Sequence, residues 1–171
     1  MDAFDPLSDF YDLRAAIRYE MTVTLPEVNI IPFQLKPYMD HFGYPAPTFL
    51  ASIRKNEQSA GEVCFGFNPL DDRLYIYRLV VKTEHQRQHL GLATLWHLHL
   101  QHRLPITPIG APHPFWRSAR RVLGRTGAQI TAELHYQALQ AEAERWQNLA
   151  PDLYPPSSQP IVAMARSSRK T

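Results

Sequence analysis

A polar loop between a β-rich run and an amphipathic helix, at residues 80–95, constrains the fold more than any other stretch of this chain. The loop brings Gly91 close to the expected start of the helix. A helix start presents several backbone N–H groups without partners inside the helix, and the helix dipole adds positive potential there. Such a loop commonly cradles a phosphate or pyrophosphate group. The sequence therefore predicts a ligand that carries phosphates.

Three strand-like runs precede this loop, at residues 48–54, 61–67 and 73–81. They are rich in β-branched and aromatic residues and are separated by polar turns, which indicates an antiparallel meander. The third run is apolar on both faces apart from Arg78, which predicts a central strand covered on both sides. An apolar stripe after the loop predicts a helix that ends near Pro105. The stripe consists of Leu92, Leu95, Trp96, His99 and Leu100.

The segments at the amino-terminal end have weaker patterns. Residues 9–19 predict a short helix, 21–25 a strand and 35–42 a further helix. The Gly- and Pro-containing stretch at 43–47 then marks a break before the meander. No internal repeat is present.

Towards the carboxyl end, residues 106–111 predict a fifth strand and 129–132 a sixth. Residues 134–149 are rich in Ala, Glu, Gln and Leu, which predicts a helix stopped by Pro151. A seventh strand at 161–165 and a basic tail complete the expected order. The apolar residues of the late helix fit either the domain's own core or a second subunit. They are Leu139, Trp146 and Leu149.

Length and composition are those of one folded domain. The chain has 171 residues, of which 44% are hydrophobic and 11% aromatic, and this excludes a disordered protein. A formal net charge of +2 does not demand a nucleic acid or a membrane as partner. Cys64 is the single cysteine, so no internal disulfide forms, and no apolar run approaches the ~20 residues of a membrane span. We therefore expect a cytoplasmic protein.

The strand, loop and helix around residue 81 resemble the GNAT superfamily of acyl-CoA-dependent N-acyltransferases, whose signature is V-x-P-x-x-R/Q-x-x-G-x-G/A. Laid without gaps from Val81, the chain has Thr83 at the Pro position and Gln86 at the R/Q position. His89 then stands at the first Gly and Gly91 at the second. Histidine tolerates left-handed backbone angles better than most residues, so it is compatible with this position.

A second register is also open. Gln88, Gly91 and Ala93 match R/Q-x-x-G-x-G/A without substitution, but the loop from Val81 is then two residues longer. Spacing from the strand fixes where the loop N–H groups point, which favours the first register.

The resemblance implies an α/β fold with a mostly antiparallel mixed sheet of six to seven strands, flanked by helices. It implies that strands 4 and 5 splay apart and leave a gap for the pantetheine arm. The motifs cover residues 48–132 of a single domain at 1–155, with an extra helix at about 134–149 and a Pro- and Ser-containing segment at 156–171.

A second family motif, A-x-x-x-Y-x-x-x-G-F, resembles the stretch from Ala119 to Ala128. Leu123 stands where many relatives have a tyrosine that protonates the departing CoA thiolate. Another acid, or water, would then perform this step.

The resemblance implies acetyl-CoA, or another acyl-CoA, as co-substrate and no metal. His113 and Trp116 would border the thioester end of the cleft. The residues implied to contact the cofactor are Leu79, Val80, Val81, Gln86, Arg87, Gln88, His89, Leu90, Gly91, Leu92, Ala93, Trp116 and Arg120.

Candidate catalytic groups follow from the chemistry of acyl transfer. Glu62, Glu84 and His85 are candidates for the base that keeps the amine neutral, directly or through water. A backbone N–H at 79–81 is the candidate oxyanion donor. Tyr77, like Tyr75, would replace the missing acid if it faces the cleft, although core packing is the simpler role for both.

A basic cluster lies in the second motif and comprises Arg117, Arg120, Arg121 and Arg125. It fits the 3′-phosphate of CoA, an acidic peptide or RNA phosphates, and equally a solvated helix face. The eight histidines of the chain do not form a convincing ligand set for a metal.

The first functional hypothesis is an N-acyltransferase that acts on a primary amine of a small molecule or a protein. The alternative is a GNAT-fold binding or regulatory module with weak or no catalysis. A minor alternative, suggested by the arginine cluster, is a toxin that acetylates aminoacyl-tRNA.

Overall fold

A five-stranded mixed sheet flanked by helices forms the framework of the chain. The computed structural model describes residues 6–37, 47–68, 70–135 and 138–149. The strands are β1 (Asn29–Pro37), β2 (Pro47–Lys55), β3 (Gln58–Phe67), β4 (Leu74–Val81) and β5 (Ile106–Pro108). The helices are α1 (Pro6–Thr24), α2 (Leu90–His102), α3 (Pro114–Gly124) and α4 (Leu139–Leu149), with a 3₁₀ turn at Thr83–His85.

The strand order is β1-β2-β3-β4-β5. The first four strands pair antiparallel and β5 pairs parallel to β4. The predicted meander is confirmed as β2, β3 and β4, and so is the helix after the loop, because β alternation and helical periodicity are local signals. The α/β class is confirmed, whereas a count of six or seven strands stays a prediction.

The amino-terminal predictions are corrected in two places. Residues 21–24 continue α1 and are not a strand, because Met21 is buried in the core and the hydroxyls of Thr22 and Thr24 donate back to carbonyls one turn earlier. Tertiary packing outweighs the β propensity of this stretch. Residues 35–37 belong to β1, which pairs with β2, so the helix predicted at 35–42 is wrong for these three residues. Residues 38–42 lie outside the described part.

The segment predicted as a sixth strand lies beside β5 but forms only isolated bridges. Ile130 bridges Ile106 and Leu134 bridges Ile109, both in parallel orientation. Leu134 lies beyond the strand predicted at 129–132 and forms a bridge, so the late helix begins at Leu139 and not at residue 134. The predicted seventh strand at 161–165 lies outside the described residues.

A β-bulge in β4 decides which side chains face the main core. Cys64 of β3 pairs with Arg78, whereas Phe65 pairs with Ile76, so Tyr77 is the extra residue. The bulge shifts the alternation by one residue. Leu79 and Val81 therefore pack on the same main core as Ile76, beneath α1, α2 and α3.

A second, smaller cluster lies around Tyr75 and holds α4. Tyr75 and Trp146 are fully buried with ring centroids 5.7 Å apart, and burial raises the pKa of Tyr75 to about 12. Buried Glu142 accepts hydrogen bonds from Arg73 and Arg145. Trp146 thus covers the domain's own sheet, whereas Leu149 is exposed.

Ion pairs extend this attachment of α4. Arg145 also reaches Asp72, with 3.0 Å between Nη1 and Oδ2. This hydrogen bond lowers the pKa of Asp72, although partial burial of the carboxylate acts in the opposite direction. Glu142 lies on α4, as Arg145 does, whereas Asp72 lies in the loop before β4. The network therefore holds the helix against that loop.

Gly61 is required where β3 meets the end of β4. A Cβ at Gly61 would lie 2.2 Å from the carbonyl oxygen of Val80. We expect Gly61→Ala to lower the free energy of unfolding by at least about 2 kcal/mol, because backbone must move. The matched control Gly124→Ala meets no heavy atom within 4 Å and should raise stability by up to about 1 kcal/mol, since it lies in α3. Urea unfolding of both variants tests this, and equal effects would contradict the close approach.

The histidines of α2 make stability depend on pH. Burial lowers the pKa of His97, His99 and His102, and Arg18 and Arg103 lower that of His99 further. Nδ1 of His99 is buried without a hydrogen-bond partner among the described residues. The unfolded chain, with histidine near pKa 6.5, binds protons first on acidification. This stabilisation is therefore present above about pH 6.5 and is lost as pH falls through the folded-state values.

We expect the urea midpoint to fall between about pH 7 and about pH 5. His99→Gln should make that fall smaller, because one buried imidazole no longer resists protonation. His135→Gln, at an exposed position, is the matched control and should leave the fall unchanged. An unaltered pH dependence in His99→Gln would contradict the assignment.

Candidate functional site

The candidate site lies where β4 loses its parallel neighbour. β5 pairs only with Leu74, Tyr75 and Ile76, and the last contact is a hydrogen bond of 2.9 Å from the Ile109 N–H to the Ile76 carbonyl. Residues 77–81 then continue β4 with no strand on that edge among the described residues. A gap therefore opens beside the last residues of β4 and the start of α2.

Two neighbouring cavities occupy this region. The first, which we call the loop cavity, has a volume of about 310 Å³. The second, the gap cavity, has a volume of about 240 Å³. Val81, Gly91 and Phe115 belong to both linings, so the cavities adjoin. The other residues of the loop cavity are His85, Gln86, Arg87, His89, Leu90, Leu92 and Ser118, and those of the gap cavity are Leu79, His113 and Trp116.

The backbone of β4 faces the gap at alternate residues. The N–H of Lys82 donates to Ala60 in β3 at 2.9 Å. Successive residues of a strand direct their N–H groups to opposite edges, so Leu79 and Val81 direct theirs towards the gap. The carbonyl of Val81 accepts a hydrogen bond of 3.1 Å from Gln86 Nε2, which is consistent with this direction. The edge thus offers both donors and acceptors to an extended ligand.

The loop before α2 turns twice through the left-handed region. Arg87 has φ 60° and His89 has φ 59°, and His89 is the N-cap of α2 without a side-chain capping hydrogen bond. The amides of Leu90, Gly91 and Leu92, in the first turn, have no acceptor inside the helix. They form a donor-rich end of α2 at the loop cavity. Residue 89 therefore has a positive φ, a conformation that favours glycine and that His89 adopts.

Gly91 allows close packing between helices, apart from any contact with a ligand. A Cβ at Gly91 would lie 2.9 Å from Cε2 of Phe115, so the ring of Phe115 lies directly on the glycine. This contact lets the starts of α2 and α3 approach closely. Phe115 consequently forms a common wall of the two cavities.

Most of the residues predicted to contact a cofactor line a cavity. Val80, Gln88, Ala93 and Arg120 do not. Val80 is exposed, Gln88 Oε1 accepts from Lys55 Nζ at 2.9 Å, and Ala93 is buried in the main core.

Arg120 fastens α3 to the segment beside β5. Its guanidinium donates to the carbonyls of Ile130 and Thr131 and forms an ion pair of 3.1 Å with Glu133. Partial burial raises the pKa of Glu133, but hydrogen bonds from its own backbone N–H, from that of His113 and from Arg120 lower it overall. Arg120 therefore differs from Arg117, Arg121 and Arg125, which are exposed.

The candidate catalytic side chains are dispersed. His85 lines the loop cavity and Glu84 is exposed in the 3₁₀ turn. Glu62 is exposed on β3, on the face opposite to Val63, which is buried in the main core. Tyr77 packs in the second cluster with Trp146 and is absent from both linings.

Leu123, which the resemblance would place at the tyrosine position, is fully buried in the main core. The sequence reasoning missed Phe115 and Ser118. Their i, i+3 spacing at the start of α3 was the available signal, because it places both on one helix face.

No family model matches this chain, and neither does a curated protein or a solved structure. Within the described residues, no three His, Cys, Asp or Glu side chains are grouped to hold a metal ion. None of the described helices has the length and apolar character to cross a membrane.

The left-handed angle of His89 predicts an order of stability among variants. We expect His89→Gly to raise the free energy of unfolding by about 0.5 kcal/mol, because relief of the left-handed strain exceeds the added chain entropy. His89→Asn should be close to neutral, whereas His89→Val should lose about 1 kcal/mol or more, since β-branched residues disfavour positive φ. Urea unfolding measures the series, and a stable valine variant would contradict it.

Proposed function

We propose that this chain is an acyl-CoA-dependent N-acyltransferase of the GNAT type, which transfers an acetyl group from acetyl-CoA to a primary amine of a small molecule or a protein. One observation carries the proposal. The donor-rich start of α2 at the loop cavity adjoins a gap in which the edge of β4 has no strand beside it. A ligand with a diphosphate at one end and an extended amide-containing arm at the other fits this order of groups.

The residues divide by the part of the ligand that they would hold. The diphosphate would meet the first-turn amides of α2 and the Arg87 side chain, since a helix start attracts anions. The arm would exchange hydrogen bonds with the backbone of Leu79 and Val81. The thioester would then lie in the gap cavity, whose walls include the apolar side chains of Leu79 and Phe115.

The reaction is direct attack within a ternary complex. The neutral amine attacks the thioester carbonyl, a C–N bond forms, and the C–S bond breaks with its electron pair passing to sulfur. A backbone N–H at 79–81 donates to the oxyanion. His85, Glu84 or Glu62, directly or through water, accepts the proton that the amine nitrogen loses. Positioning both substrates supplies on the order of 7 kcal/mol or more, so few side chains are needed.

A second candidate is a GNAT-fold binding module without catalysis. The contact between Phe115 and Gly91 favours it, because this ring lines both cavities at the place where the arm of CoA would have to pass. Exposed Arg117, Arg121 and Arg125 support an RNA-containing acceptor, such as aminoacyl-tRNA, as a variant of the first proposal.

Calorimetric titration with acetyl-CoA, CoA and desulfo-CoA tests the proposal. We expect saturable binding of all three with micromolar affinity. Arg87→Glu should weaken binding about tenfold or more, because the new carboxylate repels the diphosphate. The control Arg78→Glu makes the same charge change at an exposed position of β4 outside both cavities and should alter affinity less than twofold.

Absence of heat and of thermal stabilisation at millimolar acetyl-CoA would overturn the acyltransferase proposal and favour the binding module. Equal losses in Arg87→Glu and Arg78→Glu would show that CoA is bound elsewhere.

A further inference from the structure

His113 is held by its side chain at the start of α3. It is the N-cap of that helix, and its Nδ1 accepts a hydrogen bond of 3.1 Å from the Phe115 N–H. An imidazole nitrogen that accepts a hydrogen bond cannot carry a hydrogen as well. While the cap is in place, the hydrogen of the neutral ring is therefore on Nε2.

The backbone of His113 is held at the same time. Its N–H donates to Glu133 Oε1 at 3.4 Å, and Glu133 Oε2 is paired with Arg120. The residue is thus fixed both by α3 and by the segment beside β5. His113 is exposed to solvent and lines the gap cavity, and no other residue of that lining is ionisable.

Other donors near the gap are less suited to the departing sulfur. Leu123 has no polar group and lies in the core, and Tyr77 packs in the second cluster. Among the gap-cavity side chains, only His113 and Trp116 carry an N–H group. Trp116 packs edge-on against Phe115, with centroids 4.9 Å apart, and against the main core. This leaves His113 as the donor whose hydrogen position is fixed by another hydrogen bond.

We propose that His113 is a catalytic residue whose Nε2–H donates a hydrogen bond to the thiolate as it leaves, an inference that rests on the proposed acyl transfer. As the C–S bond breaks, sulfur takes the electron pair, and its developing charge is stabilised by this N–H. The imidazole keeps its proton, and the thiolate is protonated by solvent after release. In this role His113, the N-cap of α3, stabilises the thiolate by a hydrogen bond, whereas the tyrosine of the family motif protonates it.

The test compares His113→Ser with His113→Ala. Serine retains an oxygen that caps the helix but has no donor that reaches as far as imidazole. We expect His113→Ser to release thiol from acetyl-CoA about 100-fold more slowly than the wild type, with hydroxylamine as a small acceptor. Its dissociation constant for acetyl-CoA and its melting temperature should change little. His113→Ala should also lose thermal stability, because the cap is removed.

Each outcome separates the two proposals. Failure of the wild type to bind acetyl-CoA would overturn the acyltransferase function, and this inference with it. Binding by the wild type without enzyme-dependent thiol release would favour the binding module and overturn both proposals. Release by His113→Ser at the wild-type rate would overturn the role of His113 alone. A loss of acetyl-CoA affinity in proportion to the loss of rate would also overturn it, since His113 would then only shape the cavity. His135→Ser, at an exposed position outside both linings, is the matched control and should keep the wild-type rate.

Discussion

The hydrogen bond from the Ile109 N–H to the Ile76 carbonyl is the constraint on which the cleft depends, because it is the last one between β4 and β5. Pro108 has no N–H, and Gly110 follows with φ 130°, a conformation suited to glycine. The N–H of Gly110 donates to Leu134, so the chain turns towards the neighbouring segment and away from β4. Parallel pairing therefore ends after three residues, and the remaining edge of β4 faces the gap.

The bulge at Tyr77 gives that edge its orientation. It lets Leu79 and Val81 anchor their side chains in the main core while their backbone groups face the gap. The backbone groups of β4 and of the start of α2 that face the cavities are therefore positioned by the packing of Leu79, Val81 and Leu90 in the main core. The loop geometry depends on the backbone angle at residue 89, and histidine adopts this left-handed angle.

The sequence predicts the parts of this fold that rest on local signals. Alternation locates β2, β3 and β4, and a glycine after a polar loop locates the start of α2. It does not show that residues 21–24 are helical, because Met21 is placed by tertiary burial. It also does not show that Phe115 lies on Gly91 or that Arg120 pairs with Glu133, since these partners are far apart in the chain. Contacts between elements decide such positions, and a single sequence does not record them.

His89 and Leu123, at which the sequence differs from the motifs that it resembles, have different physical consequences. His89 keeps the backbone angle that the loop needs and adds an exposed side chain at the loop cavity. Leu123 removes a hydroxyl, but its side chain is fully buried, so this position contributes packing and leaves no polar group in need of a partner. In the acyl transfer that we propose, a donor to the departing sulfur would come from the start of α3 and not from its middle. His113 is the residue there whose ring and backbone are both held in place, by Phe115 and by Glu133.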